Sequence, residues 1–393
     1  MKRNQERLER MRKAMEAERL DALVLRLPEN VLLLSGFWPM IGASTLVFSL
    51  DGDSVCIIPN CYQAEAARSL WDAGAVYYGY GVLGAPDPAK AVQDSLEMII
   101  QGKSWKRVGY EGSFEVVAPS WNTAEFLVPA AQTHAMLGRV FEGIELVDAS
   151  PLLQWQRLRK TPYEIEKLRV ASEVSCFGLE AFERLVDVGI SGVELAADVE
   201  RAVMVLGTDR AEAYRVRAFA QVAVGPEETA LGYRPNEVST VRRLQSGDVA
   251  LLELGVIVDG YWADRTRVRV AGQPTDEQLE LFHTVAKAQE TAVAEIKPGV
   301  TGAQVDEAAR SVIREAGYAE SFPHVTGHGL GFRYHEYSPI LAPNSTTQLE
   351  EGNLTSVEPG VYLLPAGGFR IEDDVLVTAS GAEVFGPYPK NLV

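Results

Sequence analysis

Apolar positions near the start of the chain recur at Leu8, Met11 and Met15, the three-and-four spacing of an amphipathic helix over Gln5 to Leu20. The runs Asp21-Ala22-Leu23-Val24-Leu25 and Leu46-Val47-Phe48-Ser49-Leu50, the second closed by Asp51-Gly52, read as strands, so the chain opens with a helix feeding a sheet. Helical and apolar pieces continue from Ala118 to Leu152, and residues 1–155 carry few motif-like clusters. The texture changes at Thr161-Pro162-Tyr163-Glu164. This is a capping box with proline in the first helical position, and it opens a long helix through about Leu185 and a second domain. Three more boxes begin at Ser191, Thr275 and Thr301.

The segment Gly189-Ile190-Ser191-Gly192-Val193-Glu194-Leu195 aligns with Gly299-Val300-Thr301-Gly302-Ala303-Gln304-Val305. The match implies an internal duplication: one half over about 161–270 and another over about 275–390, each a long helix, a glycine turn, a shorter helix and a run of strands. Shared capping chemistry at helix starts is the plainer account of the same likeness. The pattern as a whole predicts an α/β (α+β) protein with domains over 1–155 and 156–393.

Composition narrows the function classes. A length of 393 residues suits two domains, and 47% apolar with 23% charged residues is the balance of a globular protein. The formal charge of −17 repels phosphate backbones and anionic lipid, which argues against nucleic-acid and membrane partners. The N-terminus has no apolar signal region and no 18 apolar residues run uninterrupted, so a cytoplasmic location is expected. Cys56, Cys61 and Cys176 lack zinc-ligand spacing and read as ordinary thiols.

The strand Val249-Ala250-Leu251-Leu252-Glu253-Leu254-Gly255-Val256-Ile257 embeds a carboxylate in apolar sequence. An unpaired buried charge costs several kcal/mol, so Glu253 requires a partner, and a metal ion is one of the few that serve. Asp259-Gly260 signals a two-residue type I′ hairpin, which pairs Val258 with Tyr261, Gly255 with Asp264 and Glu253 with Thr266. Glu253 and Asp264 then share one face as diagonal neighbours, on the order of 7 Å apart. Of five histidines, His324, His328 and His335 fall within twelve residues in a glycine-rich stretch, whereas His134 and His283 read as structural. Glu358, before Pro359-Gly360, and Glu372, two residues after Arg370 on one strand face, are weak signals singly. With the hairpin and the histidine loop they could make a site of four carboxylates and one imidazole, a donor set for Mn²⁺, Co²⁺, Fe²⁺ or Zn²⁺ rather than a thiolate zinc site.

This ordered set resembles the pita-bread metallopeptidase family of methionine aminopeptidase, aminopeptidase P, prolidase and creatinase. The resemblance is strong over about 161–393. Over 1–155, Pro28-Glu29-Asn30 and Leu34-Ser35-Gly36-Phe37 are similar to the smaller N-terminal domain of the prolidase and creatinase branch. It implies metal ligation by Glu253, Asp264, His328, Glu358 and Glu372, outer histidines His324 and His335 that meet substrate and the tetrahedral intermediate, and an arginine, Arg370, that orients the acidic cluster or a substrate carboxylate. The implied activity is hydrolysis of the Xaa-Pro bond, first of dipeptides, by a homodimer carrying two divalent ions per subunit, Mn²⁺ foremost. Proton transfer falls to Glu358 and oxyanion stabilisation to His335. Xaa-Pro cleavage of longer peptides, a creatinase-like reaction and a silent member of the fold are the alternatives. Two departures stand out: the family has aspartate where this chain has Glu253, and its proline-specific members place a histidine where this chain has Gly232, with Tyr233 the candidate substitute contact.

Overall fold

The computed structural model describes residues 4–113, 131–233 and 239–393. The expected apolar pieces between residues 118 and 130, and Arg234 and Pro235 beyond Tyr233, lie outside the described residues. Contacts divide the chain into two compact units, Met1–Arg157 and Leu158–Val393.

In the first unit, helix α1 (Gln5–Ala17) is capped by Asn4 and buries Leu8, Met11 and Met15, as the spacing predicts. Strands β1 (Ala22–Leu25), β2 (Thr45–Ser49), β3 (Val55–Pro59), β4 (Gly74–Tyr78), β5 (Arg107–Tyr110) and β6 (Glu145–Asp148) form one mixed sheet in the order β4-β3-β2-β1-β5-β6. Helices α2 (Pro28–Ser35), α3 (Gln63–Ser69), α4 (Pro88–Ile100), α5 (Ala131–Val140) and α6 (Ser150–Leu158) complete it. Helix α2 has no cap from its own flanking side chain. Buried Glu111 supplies one from the end of β5, accepting from the backbone N–H of Arg26 at 2.7 Å and of Leu27 at 3.0 Å and from Asn30 Nδ2 at 2.8 Å. These bonds satisfy donors that a helix start leaves open.

The second unit realises all four capping boxes, at the starts of α7 (Pro162–Leu185), α8 (Gly192–Gly207), α10 (Asp276–Glu295) and α11 (Gly302–Glu315). The short α9 (Gly225–Thr229) lies between the pairs. The first helix pair packs with the antiparallel sheet β7 (Val216–Val224), β8 (Val249–Val258) and β9 (Tyr261–Val270) around Val174, Phe182, Val199, Leu252 and Leu254. The second packs around Leu281, Val285, Val305, Ile313 and Val375. Its strands are β10 (Gly327–Gly329), β11 (Glu336–Leu341), β12 (Leu354–Val357), β13 (Gly360–Leu363), β14 (Gly367–Arg370), β15 (Asp373–Thr378) and β16 (Gly381–Val384), in a five-stranded sheet β11-β10-β12-β15-β16 and a separate hairpin β13-β14. Helix, helix, strands therefore occurs twice, as the repeated sequence predicts.

The β8–β9 register is the predicted one: Val258 faces Tyr261, Gly255 faces Asp264 and Glu253 faces Thr266. Asp259 and Gly260 take φ of 50° and 94°, the two left-handed residues a type I′ turn requires. The single strand read through Arg370 and Glu372 is instead broken between β14 and β15. Glu372 leaves the ladder to bridge Thr266 on β9, its N–H donating to Thr266 O at 3.1 Å. Arg370 and Glu372 still converge, because both side chains reach the Thr266 hydroxyl.

Candidate metal centre

Five elements bring four carboxylates and one imidazole into the same region of the second unit. Glu253 comes from β8, Asp264 from β9, His328 from β10, Glu358 from the turn after β12 and Glu372 from the break between β14 and β15. Among the described residues two groups could hold a cation: Asp264 with His328 and His335, and His328 with Glu358 and Glu372, the donor atoms of each lying within 4.8 Å of one another. His328 Nε2 stands 3.3 Å from Glu358 Oε1 and 3.5 Å from Asp264 Oδ2.

The imidazole of His328 is set for ligation. Its Nδ1 lies 3.0 Å from Gly329 O, so Nδ1 carries the proton and donates, leaving the Nε2 lone pair toward the carboxylates. Ser356 Oγ accepts from the His328 N–H and donates to Glu358 Oε1, both at 3.1 Å, and so fixes two of the donors together. Glu372 is half satisfied: Thr266 Oγ1 donates to Oε2 at 2.7 Å, while Oε1 is buried with no hydrogen-bond partner. A buried oxygen of that kind is costly unless something positive meets it.

The electrostatics agree. Burial pushes the Glu358 carboxyl up to about 8 against the pull of Arg370. Burial also raises Asp264 and Glu372 well above the usual carboxylate range, and neighbouring acids add to it. Crowded carboxylates hold their protons because ionising them together in a low-dielectric site is unfavourable. A divalent cation removes that penalty, so the donor set fits one.

Glu253 stands apart from both groups. Arg370 Nη2 donates to its Oε2 at 2.5 Å, and the Tyr334 hydroxyl lies 2.6 Å from its Oε1 and 2.9 Å from Asp264 Oδ1. Arg370 is buried and committed elsewhere too, through Nε to Thr266 Oγ1 at 3.2 Å and Nη1 to Gly232 O at 3.1 Å and Tyr362 Oη at 2.7 Å. In this state its guanidinium orients the acidic cluster, and these protein acceptors surround it.

His324 Nδ1 lies 2.8 Å from Val325 O and its Nε2 2.8 Å from Tyr362 Oη. Since Tyr362 accepts from Arg370, its own proton goes to Nε2, which makes His324 a neutral ring with both nitrogens engaged. Burial and the nearby Arg370 hold it down at about 3. His335 is more open: its ring stacks on Tyr334 at 4.6 Å, its Nε2 is 4.0 Å from Asp264 Oδ2, and burial lowers it to about 3. The Tyr233 ring packs edge-on to Tyr362 at 5.1 Å. At Gly232 a Cβ would lie 2.9 Å from Thr229 O, so the backbone has closed where the resemblance expects a histidine.

Sequence reasoning missed Tyr334, Tyr362, Thr266 and Ser356. The register already placed Thr266 opposite Glu253, and Tyr334 sits beside His335, but a hydroxyl does not name its tertiary partner in the sequence.

Behind the site lies a second ionic group. Asp373 Oδ1 accepts from Arg265 Nη2 and Arg267 Nη2, both at 2.7 Å, and Oδ2 from Gln289 Nε2 at 3.1 Å. Its neighbour Asp374 accepts from the Asp264 N–H at 3.1 Å, tying this group to the cluster.

The chain matches the family described as Metallopeptidase family M24 over residues 166–379 and the Creatinase/Prolidase N-terminal domain over residues 7–159. It is 30% identical to the Xaa-Pro dipeptidase of Pyrococcus furiosus over 378 residues, covering 96% of this chain and 97% of that protein. Its fold is similar to the Xaa-Pro dipeptidase from Bacillus anthracis, with a TM-score of 0.80, 27% identity and 99% of both chains covered. It is also similar to the X-Pro aminopeptidase from Thermotoga maritima, at 0.79, 27% and 98% of both chains.

Proposed function

The chain belongs to metallopeptidase family M24, and from that premise we propose that it hydrolyses the Xaa-Pro bond of dipeptides with two divalent ions, Mn²⁺ foremost and Co²⁺, Zn²⁺ or Fe²⁺ as substitutes. The observation that carries this reading is the buried, unpartnered Glu372 Oε1 beside the free lone pair of His328 and the Glu358 carboxyl. It belongs to a chain similar along nearly its whole length to an Xaa-Pro dipeptidase.

In this reading Glu253, Asp264, His328, Glu358 and Glu372 hold the ions. Bound there, divalent ions supply Lewis-acid polarisation of the scissile carbonyl and a lowered pKa for the attacking water. The protein's own residues do the rest. Glu358, ionised when it serves as a ligand, takes a proton from the attacking water and passes it to the leaving nitrogen. His335, partly exposed at the mouth of the cluster, donates to the developing oxyanion. Arg370 and the Tyr362–His324 chain hold the acids in place, and Tyr233 with Tyr362 forms an aromatic wall for a proline ring. His324 reaches substrate once Tyr362 releases its Nε2. A homodimer in the cytoplasm, built from domains 1–155 and 156–393, completes the proposal. Among the described residues no helix is long and apolar enough to cross a membrane.

A second reading, Xaa-Pro cleavage from longer peptides, has support in the near-equal similarity to the aminopeptidase. The test is hydrolysis of one Xaa-Pro dipeptide against the matching Xaa-Pro-Xaa tripeptide, with Mn²⁺ and after chelation, in wild type, Asp264→Ala and Glu358→Ala. Mn²⁺-dependent dipeptide cleavage that both variants abolish supports the proposal. Full activity in either variant, or in chelator, overturns it, and preference for the tripeptide selects the second reading.

A further inference from the structure

Alternation along β9 puts Arg265 and Arg267 on the face opposite Asp264 and Thr266, behind the acidic cluster. Arg267 is 4% exposed. Its Nε donates to Pro389 O at 3.3 Å, Nη1 to Thr266 O at 2.9 Å and Glu372 O at 2.7 Å, and Nη2 to Asp373 Oδ1 at 2.7 Å and Tyr388 O at 3.0 Å. Every N–H of the guanidinium fork is thereby used.

Two of those acceptors, Tyr388 and Pro389, lie in the segment after β16, and that segment is itself tied down. Tyr388 Oη donates to Glu183 Oε2 on α7 at 2.6 Å, Lys390 Nζ to Gln289 Oε1 on α10 at 2.7 Å, and the Val270 N–H to Leu392 O at 2.9 Å. The segment clasps the long helix of each half, and Arg267 is fixed against it. On its other side Arg267 meets Glu372, which β9 grips at three points. Thr266 O accepts from the Glu372 N–H at 3.1 Å, Thr266 Oγ1 donates to Oε2 at 2.7 Å, and Arg267 Nη1 donates to the carbonyl oxygen. Glu372 sits in the break between β14 and β15, outside a regular ladder, so these bonds set where its open Oε1 points.

We infer that Arg267 is a positioning residue for the metal centre: it carries the hold of residues 385–392 to Glu372 and keeps Oε1 aimed at the cation. This rests on the metal-dependent reading above and adds a residue that touches neither ion nor substrate. The role has a sign that separates it from electrostatics. A positive charge beside a cation site opposes binding, so losing the charge alone would tighten the site. Losing the fork frees Glu372 and loosens it. Lysine keeps the charge, but its single ammonium cannot reproduce the planar fork.

Mn²⁺ is titrated into the full-length metal-stripped protein, with free Mn²⁺ followed by its electron paramagnetic resonance signal, in wild type, Arg267→Gln, Arg267→Lys, Arg269→Gln and Glu372→Gln, well below the melting temperature of each. Arg269 is the control, an arginine of the same strand that donates to Glu183 Oε1 at 3.0 Å. Both Arg267 variants are expected to weaken Mn²⁺ binding by about 10-fold or more, the scale on which outer partners of metal ligands act. Glu372→Gln weakens it at least as far, and Arg269→Gln leaves it within about 2-fold. Thermal melts of the stripped proteins identify a variant that fails to fold; if Arg267→Gln does, the charge-keeping Arg267→Lys decides. Unchanged or tighter binding in a folded Arg267 variant, equal weakening in Arg269→Gln, or indifference to Glu372→Gln overturns the inference while leaving metal dependence intact. No Mn²⁺ binding to wild type overturns the metal-dependent reading and the inference with it.

Discussion

Asp373→Asn offers a test of how the second unit is held together directly behind the proposed metal ligands. The carboxylate is 2% exposed and serves two buried arginines at once, Arg265 and Arg267, at 2.7 Å each. Asparagine keeps the shape and removes the charge, leaving two guanidinium groups short of a counter-ion. Leaving a buried charge uncompensated costs about 3–5 kcal/mol. The lower end applies, because Arg265 still donates to Phe385 O and Gly386 O and Arg267 to Glu372 O and Tyr388 O. A loss of about 3 kcal/mol is a large share of the ~5–15 kcal/mol that a native protein has. It should appear as a lowered urea midpoint with an unchanged slope. The pH dependence adds a second readout. Burial alone pushes the Asp373 carboxyl up, but Arg267 and Arg265 outweigh it and hold it below the ordinary value. A depressed carboxyl contributes stability that is fully present above its unfolded pKa of about 3.9 and lost as pH falls through the lower folded value. Wild type therefore keeps this contribution until the pH drops below about 4, and the variant should lack that acid limb. A loss under about 1 kcal/mol, or an unaltered acid limb, would show that the arginines do not depend on Asp373.

Two further outcomes follow from the geometry. Gly232→Ala places a Cβ 2.9 Å from Thr229 O and displaces the carbonyl that Arg370 Nη1 holds; overpacking of this kind costs about 1–3 kcal/mol. Chemical denaturation should show that loss, together with reduced Mn²⁺ retention on dialysis. Under native conditions a disulfide reagent should modify exposed Cys61 quickly. Cys56, buried with its thiol pushed up to about 12, and Cys176, partly buried and raised, should react only as the protein opens. Rapid titration of all three thiols would contradict these placements.

Much of the fold was legible because its signals are local. A capping box is decided by four consecutive residues, and all four boxes open helices in the structure. The Asp259-Gly260 turn fixes the pairing of its flanking strands, so Glu253, Gly255, Asp264 and Thr266 could be placed opposite or diagonal to one another from the sequence. Histidines crowded into a glycine-rich stretch likewise announced themselves. What the sequence alone determined was which chain segments supply acids and imidazoles to a common site.

Tertiary structure decided how those groups are shared. Strand alternation implied one continuous strand through Arg370 and Glu372, but a long-range bridge to Thr266 breaks it, and only that break gives Glu372 one bonded oxygen and one open one. The Glu253 carboxylate, conspicuous in its apolar strand, is met by Arg370 and Tyr334 from segments 117 and 81 residues away. No periodicity encodes such a meeting, since a buried charge demands a partner without naming it. The closed backbone at Gly232 belongs to the same class, because the sequence shows a missing side chain and the fold shows that the space for one is gone.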